Sequence, residues 1–480
     1  MAGKETHFDS SRREAGEKCA VFGIINPSNP EVSRMTAQGL FVLQHRGQEA
    51  SGIASSDGEK IWDHRRTGLV SQVYDDRDSD FSFSKLPGHI ATGHNRYGTF
   101  TRRSADCHLQ PVIDDQNKRV TFAHNGNLPD TDKLEEFLDD KGISTSPLND
   151  SEMMHAAILH FVNKGSSLEE AVQNAIPHFT GAFSFLAMDN QNIVAARDNR
   201  GIRPFSIGSM NGGWVFSSET CAIDTIGAKY IRDVNPGEIV VANENGLFSR
   251  PYDKGRQKLD VFEFVYFSRP DSILLGQSVY EVRKRFGEEL AKEHPLDADM
   301  VIPIPESSTP AALGYSQITG IPLEAALVKN KYIGRTFITN ESHRGADIAM
   351  KYNPISSVLR NKRAIIIDDS IVRGLTSIWL VKLLREAGVR ELYMLIPSPP
   401  VRYPDFYGID TPKQKDLIAY NKTVEEICRL IGADKLYFLS VEGMIKATRL
   451  PKSMLSTSCF TGDYPIDIGR RREEIVYQKI

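Results

Sequence analysis

Short apolar runs, separated by turn-forming residues, dominate the first half of the chain. Between residue 19 and about residue 250 these runs are rich in β-branched and aromatic residues, a composition typical of strands. They are AVFGII, GLFVLQ, HIATGH, RVTFAH, AFSFLAM, NIVAAR, GWVFSS and GEIVVA. Apolar positions at helical spacing interrupt them in TDKLEEFLDDKG, SEMMHAAILHFVNKG and SLEEAVQNAIPHF. This half is therefore predicted to form packed sheets with helices outside them.

The pattern changes after the polar stretch ENGLFSRPYDKGRQKLD, residues 244–260, which predicts a linker. Helical SVYEVRKRFGEELAKEH precedes the strand DMVIPIP, and helical TPAALGYSQITG leads to IPLEAALV. The strand RAIIIDD precedes helical SIWLVKLLREAG, which is followed by the strand ELYMLIP. Strands that alternate with helices predict a parallel α/β sheet.

Composition and charge narrow the class of protein. A chain of 480 residues suggests about two to four domains. The net charge of −4 argues against a non-specific nucleic-acid binder, and no apolar stretch approaches the roughly 20 residues of a membrane helix. Residues 1–18 lack the apolar core of a secretory signal, which predicts a cytoplasmic protein. The five scattered cysteines argue against a disulfide framework.

The segment RAIIIDDSIVRGLTS, residues 363–377, carries the most specific chemistry of the second half. A predicted buried strand ends in two adjacent carboxylates, and a polar loop then leads into a helix. Ligands of open α/β sheets bind at the carboxyl ends of strands, and a helix N-terminus offers free N–H groups to a phosphate. The predicted phosphate-site residues are Asp368, Asp369, Ser370, Arg373, Gly374, Thr376 and Ser377.

The role of Asp368 and Asp369 has more than one interpretation. They suit ribose hydroxyls, or a divalent cation bound to a phosphorylated sugar. A strand that ends in solvated acids before a capped helix is the alternative. The accompanying Ser, Thr, Gly and Arg residues favour the phosphate site.

This segment resembles the phosphoribosyl pyrophosphate (PRPP) motif of type I phosphoribosyltransferases. IPESSTPAALGY resembles their pyrophosphate loop, with Ser307 at a position that helps to bind magnesium. LVKNKYIGRTFI, which contains Lys329 and is followed by Arg344 and Lys351, resembles the flexible catalytic loop of one branch, the amidophosphoribosyltransferases.

Four segments of the first half suit the binding and cleavage of glutamine: HRGQEASGIAS, GHNRYGTF, AHNGNL and NDSE. Arg96 suits the α-carboxylate, because a guanidinium pairs with it bidentately, and Asp150 suits the α-ammonium. The Asn125 side chain and the Gly126 N–H can form an oxyanion hole. Thr99 can add a hydroxyl contact.

Together with Cys19, these segments resemble the N-terminal-nucleophile glutamine amidotransferases. The resemblance to the amidophosphoribosyltransferase family extends from Cys19 to about residue 463. It implies an α/β fold in two domains, an αββα N-terminal-nucleophile hydrolase sandwich followed by a Rossmann-like parallel α/β phosphoribosyltransferase domain. The implied division is a propeptide at 1–18, the amidotransferase domain at 19–255, and the phosphoribosyltransferase domain with a C-terminal extension at 256–480.

The family resemblance also implies the chemistry. Cys19 attacks glutamine, and its own α-amine acts as the base, so the bond between residues 18 and 19 must be cut. Ammonia then displaces pyrophosphate from PRPP and gives 5-phosphoribosylamine, the first committed step of de novo purine biosynthesis. Each subunit is expected to use Mg²⁺ with PRPP, held by Ser307, Asp368 and Asp369. Feedback inhibition by purine nucleotides and a homo-oligomer, a dimer or tetramer, are further expectations, with no nucleic-acid or membrane partner.

One branch of this family carries an iron–sulfur cluster on four Cys thiolates. Here Asp260, Asp405 and Ser456 stand at three of those positions, and only Cys459 keeps a thiol. We therefore expect no iron–sulfur cluster. A polar patch is the favoured reading of these residues, and a different metal site formed by them is the open alternative.

Two alternative functions stay open at this point. Glucosamine-6-phosphate synthase and asparagine synthetase share the nucleophile domain, but their second domains do not need a PRPP loop. A non-catalytic, PRPP-sensing regulator would share the second domain, but it would leave Cys19, Arg96, Asn125 and Asp150 unexplained. Glutamine- and PRPP-dependent release of pyrophosphate discriminates among the three.

Overall fold

The computed structural model describes residues 19–78, 80–97, 108–114, 119–146, 148–330, 351–408 and 413–477. The predicted propeptide, Thr99 and Arg344 lie outside the described residues.

The first half contains two antiparallel sheets and their covering helices. Strands β1 to β13 are Ala20–Ile25, Ala50–Ser56, Ile61–Thr67, Ile90–Arg96, Val112–Ile113, Thr121–Asp130, Thr180–Met188, Ile193–Arg197, Ser206–Met210, Gly213–Ser217, Lys229–Asp233, Glu238–Asn243 and Gly246–Pro251. Helices α1 to α6 are Val32–Val42, Val70–Val73, Asp132–Asp140, Asp150–Asn163, Leu168–Ala175 and Thr220–Thr225.

These elements stack in four layers. One sheet has the strand order β11-β9-β10-β1-β4-β2-β3, and the other has the order β13-β12-β8-β7-β6-β5. A shared core between the sheets contains Val21 and Ile90 from the first and Leu186 and Val240 from the second. The outer face of the first sheet is covered by α1, α2 and α6, and that of the second by α3, α4 and α5. The layers therefore run helix, sheet, sheet, helix.

The second half alternates helices with strands. Strands β14 to β23 are Leu259–Asp260, Ile273–Leu274, Gln277–Ser278, Met300–Pro303, Leu327–Lys329, Tyr352–Pro354, Arg363–Ile367, Glu391–Ile396, Lys435–Phe438 and Leu455–Ser456. Helices α7 to α13 are Val279–Glu293, Thr309–Thr319, Ser356–Leu359, Leu375–Glu386, Val424–Ile431, Val441–Thr448 and Ser458–Thr461, and a π-helix spans Glu263–Phe267.

A parallel sheet of order β17-β20-β21-β22 organises this half. Helices α7 and α8 pack on one face, and α10 and α11 pack on the other. All strands of a parallel sheet end at the same edge, so the loops after β17 and β20 meet there. The predicted fold of two α/β parts is confirmed.

Three predictions about elements are wrong. The run GLFVLQ was expected to be a strand, but its first residues complete α1, where Gly39 lies so close to Phe22 that a Cβ would come 2.6 Å from the ring. The predicted linker 244–260 contains β13, which pairs with β12 and extends the second sheet. Helix α10 begins at Leu375, so Thr376 and Ser377 lie in its first turn and not in the preceding loop.

Among the residues that the structure describes, no helix combines the length and apolar character needed to cross a membrane.

Candidate active site

Cys19 lies buried immediately before β1, a central strand of the first sheet. Ser218, at the end of β10, links this strand to the second sheet. The Ser218 hydroxyl accepts a hydrogen bond from the Val21 N–H at 2.9 Å and another from the Asn125 side-chain amide at 3.3 Å. This one hydroxyl, which the sequence did not reveal, connects the sequence-predicted Asn125 side chain to the backbone two residues after Cys19.

Gly126 follows Asn125 in β6 and could not carry a side chain. A Cβ there would lie 2.0 Å from the Ala182 carbonyl oxygen of β7 and 2.7 Å from His124 Nε2. Any larger residue would push β6 away from β7, because these distances are far inside van der Waals contact. The close packing of the two strands fixes the backbone that carries the predicted oxyanion donors.

Asp150 opens helix α4 beside the same strand. Its carboxylate accepts hydrogen bonds from the Leu128 N–H at 3.1 Å and from the Ser151 N–H at 2.7 Å. Asn149 caps the helix by accepting a hydrogen bond from the Glu152 N–H at 2.9 Å, which fixes where the helix begins. The predicted ammonium ligand is therefore rigidly tied to the strand that carries Asn125.

Arg96 ends β4 and is buried at the neighbouring strand edge. It donates a hydrogen bond to the His108 carbonyl at 2.9 Å, and its Nε lies 3.7 Å from Glu49 Oε2. Burial raises the pKa of Glu49, while the Arg96 charge opposes that rise. The Arg96 guanidinium thus lies near one carboxylate of the chain itself.

The carboxyl edge of the parallel sheet gathers the predicted phosphate residues. Asp368 and Asp369 follow β20, and Ser307, in the loop after β17, donates a hydrogen bond to Asp369 at 2.5 Å. Ser370 donates a second hydrogen bond to Asp369 at 2.8 Å. Burial, reinforced by the charge of Asp369, raises the pKa of Asp368 well above its usual range. A cation at these oxygens would relieve that repulsion, so the donor set fits Mg²⁺.

Gly374 separates this loop from helix α10. Its φ of 78° is left-handed, and a Cβ would lie 2.3 Å from Ile418 Cδ1. Glycine is therefore required here on both conformational and steric grounds. Arg373, just before it, is exposed to solvent.

Two of the predicted PRPP-binding residues, Lys329 and Lys351, belong to a small hairpin near the same edge of the parallel sheet. Lys329 pairs with Tyr352 across β18 and β19, and Lys351 lies directly before β19. The ammonium of Lys329 is 3.8 Å from Glu306 Oε2 in the loop after β17. The hairpin thus brings positive charge toward the predicted pyrophosphate loop.

Comparison with known proteins agrees with both halves of the site. Residues 98–225 match the family model described as a glutamine amidotransferase domain. The amidophosphoribosyltransferase of Synechococcus elongatus is 45% identical over 471 residues, covering 97% of this chain and 94% of its own length. The chain belongs to the amidophosphoribosyltransferase family. It is therefore a transferase enzyme, and the predicted family is confirmed.

Two further amidophosphoribosyltransferases extend the match. That of Methanocaldococcus jannaschii is 40% identical and covers 94% of this chain and 98% of its own. The solved structure of glutamine PRPP amidotransferase from B. subtilis, complexed with ADP and GMP, superposes with a TM-score of 0.85 at 40% identity. It covers 94% of this chain and 98% of its own.

The cluster positions of this amidophosphoribosyltransferase converge at the junction of its two halves. Strand β14 pairs with β23 so that Asp260 lies opposite Ser456. Arg203 lies 3.7 Å from Asp260 and 3.6 Å from Asp405. Burial, followed by the charges of these two aspartates, raises the pKa of Cys459 well above its usual range. Asp260, Asp405 and Cys459 are therefore brought together near Arg203, and Ser456 lies opposite Asp260.

Proposed function

We propose that the chain transfers ammonia from glutamine to PRPP, giving 5-phosphoribosylamine, glutamate and pyrophosphate, as in the first step of purine biosynthesis. The observation that carries this proposal is that Ser218 hydrogen-bonds both Asn125 and the strand that begins directly after Cys19, in a chain whose second half ends a parallel strand in Asp368 and Asp369.

In the first half-reaction the Cys19 sulfur attacks the side-chain amide of glutamine. The oxyanion of the tetrahedral intermediate accepts hydrogen bonds from Asn125 Nδ2 and the Gly126 N–H, which develop full strength only with the negative charge. Its collapse breaks the C–N bond, releases ammonia and leaves a glutamyl thioester. Water then hydrolyses the thioester to glutamate and regenerates the thiol. Arg96, Thr99 and Asp150 hold the charged ends of the substrate.

The Cys19 α-amine is the proposed base of this step. A terminal amine has a pKa near 8, whereas an amide nitrogen has no basic lone pair. We therefore propose that residues 1–18 are removed before the enzyme becomes active. We also propose that residues 19–255 form the glutamine amidotransferase domain and that residues 256–480 form the phosphoribosyltransferase domain with its C-terminal extension.

In the second half-reaction ammonia reaches PRPP through an internal channel and displaces pyrophosphate from the anomeric carbon. Ser307, Asp368 and Asp369 would hold Mg²⁺, which supplies charge neutralisation for the departing pyrophosphate. The N-terminus of α10, with Ser370, Arg373, Gly374, Thr376 and Ser377, would bind the 5-phosphate. Lys329, Arg344 and Lys351 would cover the pyrophosphate.

Several properties accompany this assignment. Purine nucleotides are proposed feedback inhibitors, because a relative of 40% identity was solved in complex with ADP and GMP. A cytoplasmic homo-oligomer is also proposed. An iron–sulfur cluster is not expected, because Cys459 is the one thiol among the four cluster positions and a cluster needs several.

Pyrophosphate release by purified enzyme tests the proposal. We expect release only when PRPP is combined with glutamine or ammonia, with one glutamate formed per pyrophosphate when glutamine is the donor. N-terminal sequencing of the same sample should begin at CAVFGI. Pyrophosphate release without a nitrogen donor, or full activity with an intact bond between residues 18 and 19, would contradict the assignment.

A further inference from the structure

Arg46 is a buried side chain that contacts the nucleophile residue and the second half of the molecule at the same time. It is 3% exposed, and its Nε donates a hydrogen bond to the Cys19 carbonyl at 3.3 Å. The rest of the guanidinium binds two carboxylates. Nη1 donates a hydrogen bond to the Glu219 carboxylate at 2.6 Å. Nη1 and Nη2 also donate hydrogen bonds to the two carboxylate oxygens of Glu263, at 2.9 Å and 2.6 Å respectively.

Glu263 is itself held firmly. It is fully buried at the start of the π-helix Glu263–Phe267. Ser268 donates a hydrogen bond to its carboxylate at 2.7 Å, and Arg203 donates another at 3.1 Å. Burial alone would raise the pKa of Glu263, but the two arginines outweigh it and lower the pKa, so the carboxylate stays ionised at neutral pH.

The backbone around Glu263 is anchored to the phosphoribosyltransferase half by Arg283 of helix α7. Arg283 is 4% exposed and donates to the Phe264 and Ser268 carbonyls, each at 2.7 Å. Burial lowers the pKa of Arg283 to about 10, opposed first of all by attraction to Asp369. Arg283, whose charge is attracted to Asp369, therefore holds the backbone beside Glu263, and Glu263 and Arg46 extend these contacts to the Cys19 carbonyl.

Removal of residues 1–18 makes Cys19 the end of the chain, and chain ends are mobile unless they are tied down. The Cys19 thiol and α-amine must keep a fixed position relative to each other for the amine to act as the base for the thiol. Strand pairing of Ala20 with Asn95 holds the residue after Cys19, and Arg46 holds the Cys19 carbonyl itself. The orientation of Arg46 depends on a bidentate pair with a carboxylate 217 positions away.

We propose that Glu263 is a positioning residue for the glutamine reaction: the second half of the chain fixes the nucleophile through Glu263, Arg46 and the Cys19 carbonyl. This inference rests on the proposed function. Within the described part of the chain, the Glu263 carboxylate bonds Arg46, Arg203 and Ser268 and none of the proposed glutamine or PRPP residues, so its loss should affect the rate of thioester formation and spare substrate binding.

The test compares steady-state kinetics of processed wild-type enzyme with those of Glu263→Gln. The amide is nearly isosteric but cannot accept both guanidinium hydrogen bonds. We expect kcat with glutamine to fall about 10- to 100-fold, the size of one lost charge-assisted interaction, with little change in the KM for glutamine. Activity with ammonia should stay at the wild-type level.

Arg46→Lys and Arg203→Lys complete the design. Arg46→Lys keeps the positive charge but removes the Nε donor to Cys19, so it should give the same kcat loss and decides the matter if Glu263→Gln does not fold. Arg203→Lys alters an equally buried cation on the same carboxylate that makes no described contact with Cys19. It should lower thermal stability without a glutamine-specific loss of kcat.

The inference is overturned if the glutamine- and ammonia-dependent rates fall equally, if KM alone changes, or if Arg203→Lys shows the same selective loss. Mass analysis confirms that each variant begins at Cys19, so a processing defect is not mistaken for a positioning defect. Wild-type enzyme without glutamine-dependent activity would instead refute the proposed function, which separates the two failures.

Discussion

Cys19 and Cys428 are both cysteines, but only one is placed to react. Cys428 lies on α11, donates a hydrogen bond to the Ala433 carbonyl, and has its pKa raised by burial. A raised pKa keeps the thiol protonated and a poor nucleophile. Cys19, by contrast, lies directly before β1, and Val21 of that strand shares the Ser218 hydroxyl with the proposed oxyanion donor Asn125.

Cys19→Ala should therefore abolish synthesis from glutamine and leave synthesis from ammonia, because the PRPP site lies in the other half of the chain. Pyrophosphate release with each nitrogen donor measures the split. Cys428→Ala is the control and should leave both rates unchanged. Loss of both rates in Cys19→Ala would argue against separable sites.

At this scale the sequence could predict residues whose partners lie in the same short motif. Asn125 and Gly126 are adjacent, and Asp368 and Asp369 follow one strand. A short stretch of sequence is therefore enough to predict the chemistry of each pair. Arg46 stands in the HRG part of a motif but was missed, since its decisive partner Glu263 lies in a segment with no catalytic signature. Long-range ionic partners leave no spacing pattern in a single sequence.

At the scale of elements, the pairing of β6 with β7 holds the backbone of the proposed oxyanion donors. Gly126→Ala would place a methyl group 2.0 Å from the Ala182 carbonyl, and the strands would have to separate. We expect the glutamine-dependent rate to fall about 100-fold or more, because the Asn125 and Gly126 donors would shift together. The free energy of unfolding should fall by about 1–3 kcal/mol, as for other overpacked sites.

Rates with glutamine and with ammonia, together with a urea unfolding curve, measure the Gly126→Ala effect. The ammonia-dependent rate serves as the internal control for an intact second half. Normal glutamine turnover in this variant would show that β6 does not supply the donors.

The elements that were predicted wrongly share a cause. GLFVLQ has strand-forming residues, yet Gly39 lets α1 pack closely on Phe22, so tertiary packing overrides propensity. Residues Gly246–Pro251 read as a linker because they are polar, but an edge strand with one exposed face is polar too. Helix α10 starts at Leu375 because Gly374 adopts a left-handed conformation there, which the sequence alone does not reveal.

At the scale of the whole molecule, the junction between the halves holds several buried acids close together. Asp260 faces Asp405, Glu263, Cys459 and the guanidinium of Arg203. Burial, followed by the charge of Asp405, raises the pKa of Asp260 well above its usual range. The folded protein therefore keeps a proton here that the unfolded chain releases at a lower pH.

This proton makes stability depend on pH with a definite sign. The contribution of Asp260 is fully present below its unfolded pKa of about 4 and is lost, by about 1.4 kcal/mol per pH unit, as pH rises toward the raised folded pKa. Asp260→Asn should keep the hydrogen bond accepted from the Phe262 N–H at 3.0 Å and remove the titration. The variant should thus gain stability relative to wild type between pH 5 and pH 8.

Urea unfolding midpoints of wild type and Asp260→Asn at the two pH values measure this gain. Asp467→Asn, at an exposed surface position, is the control and should show no such pH-dependent difference. A difference between Asp260→Asn and wild type that is the same at pH 5 and pH 8 would contradict the proton assignment.

The contact between Arg46 and Glu263 also sets an order of events during synthesis on the ribosome. Glu263 lies 217 positions after Arg46, a length that takes about 10 to 40 seconds to translate, so the first half emerges with the Arg46 guanidinium lacking the carboxylate that orients it. Strand β14 meets β23 only after residue 456 has been made. On the proposed role of Glu263, a nascent first half is a slow glutaminase, and glutamine hydrolysis reaches its full rate only in molecules that already possess the half that consumes the ammonia.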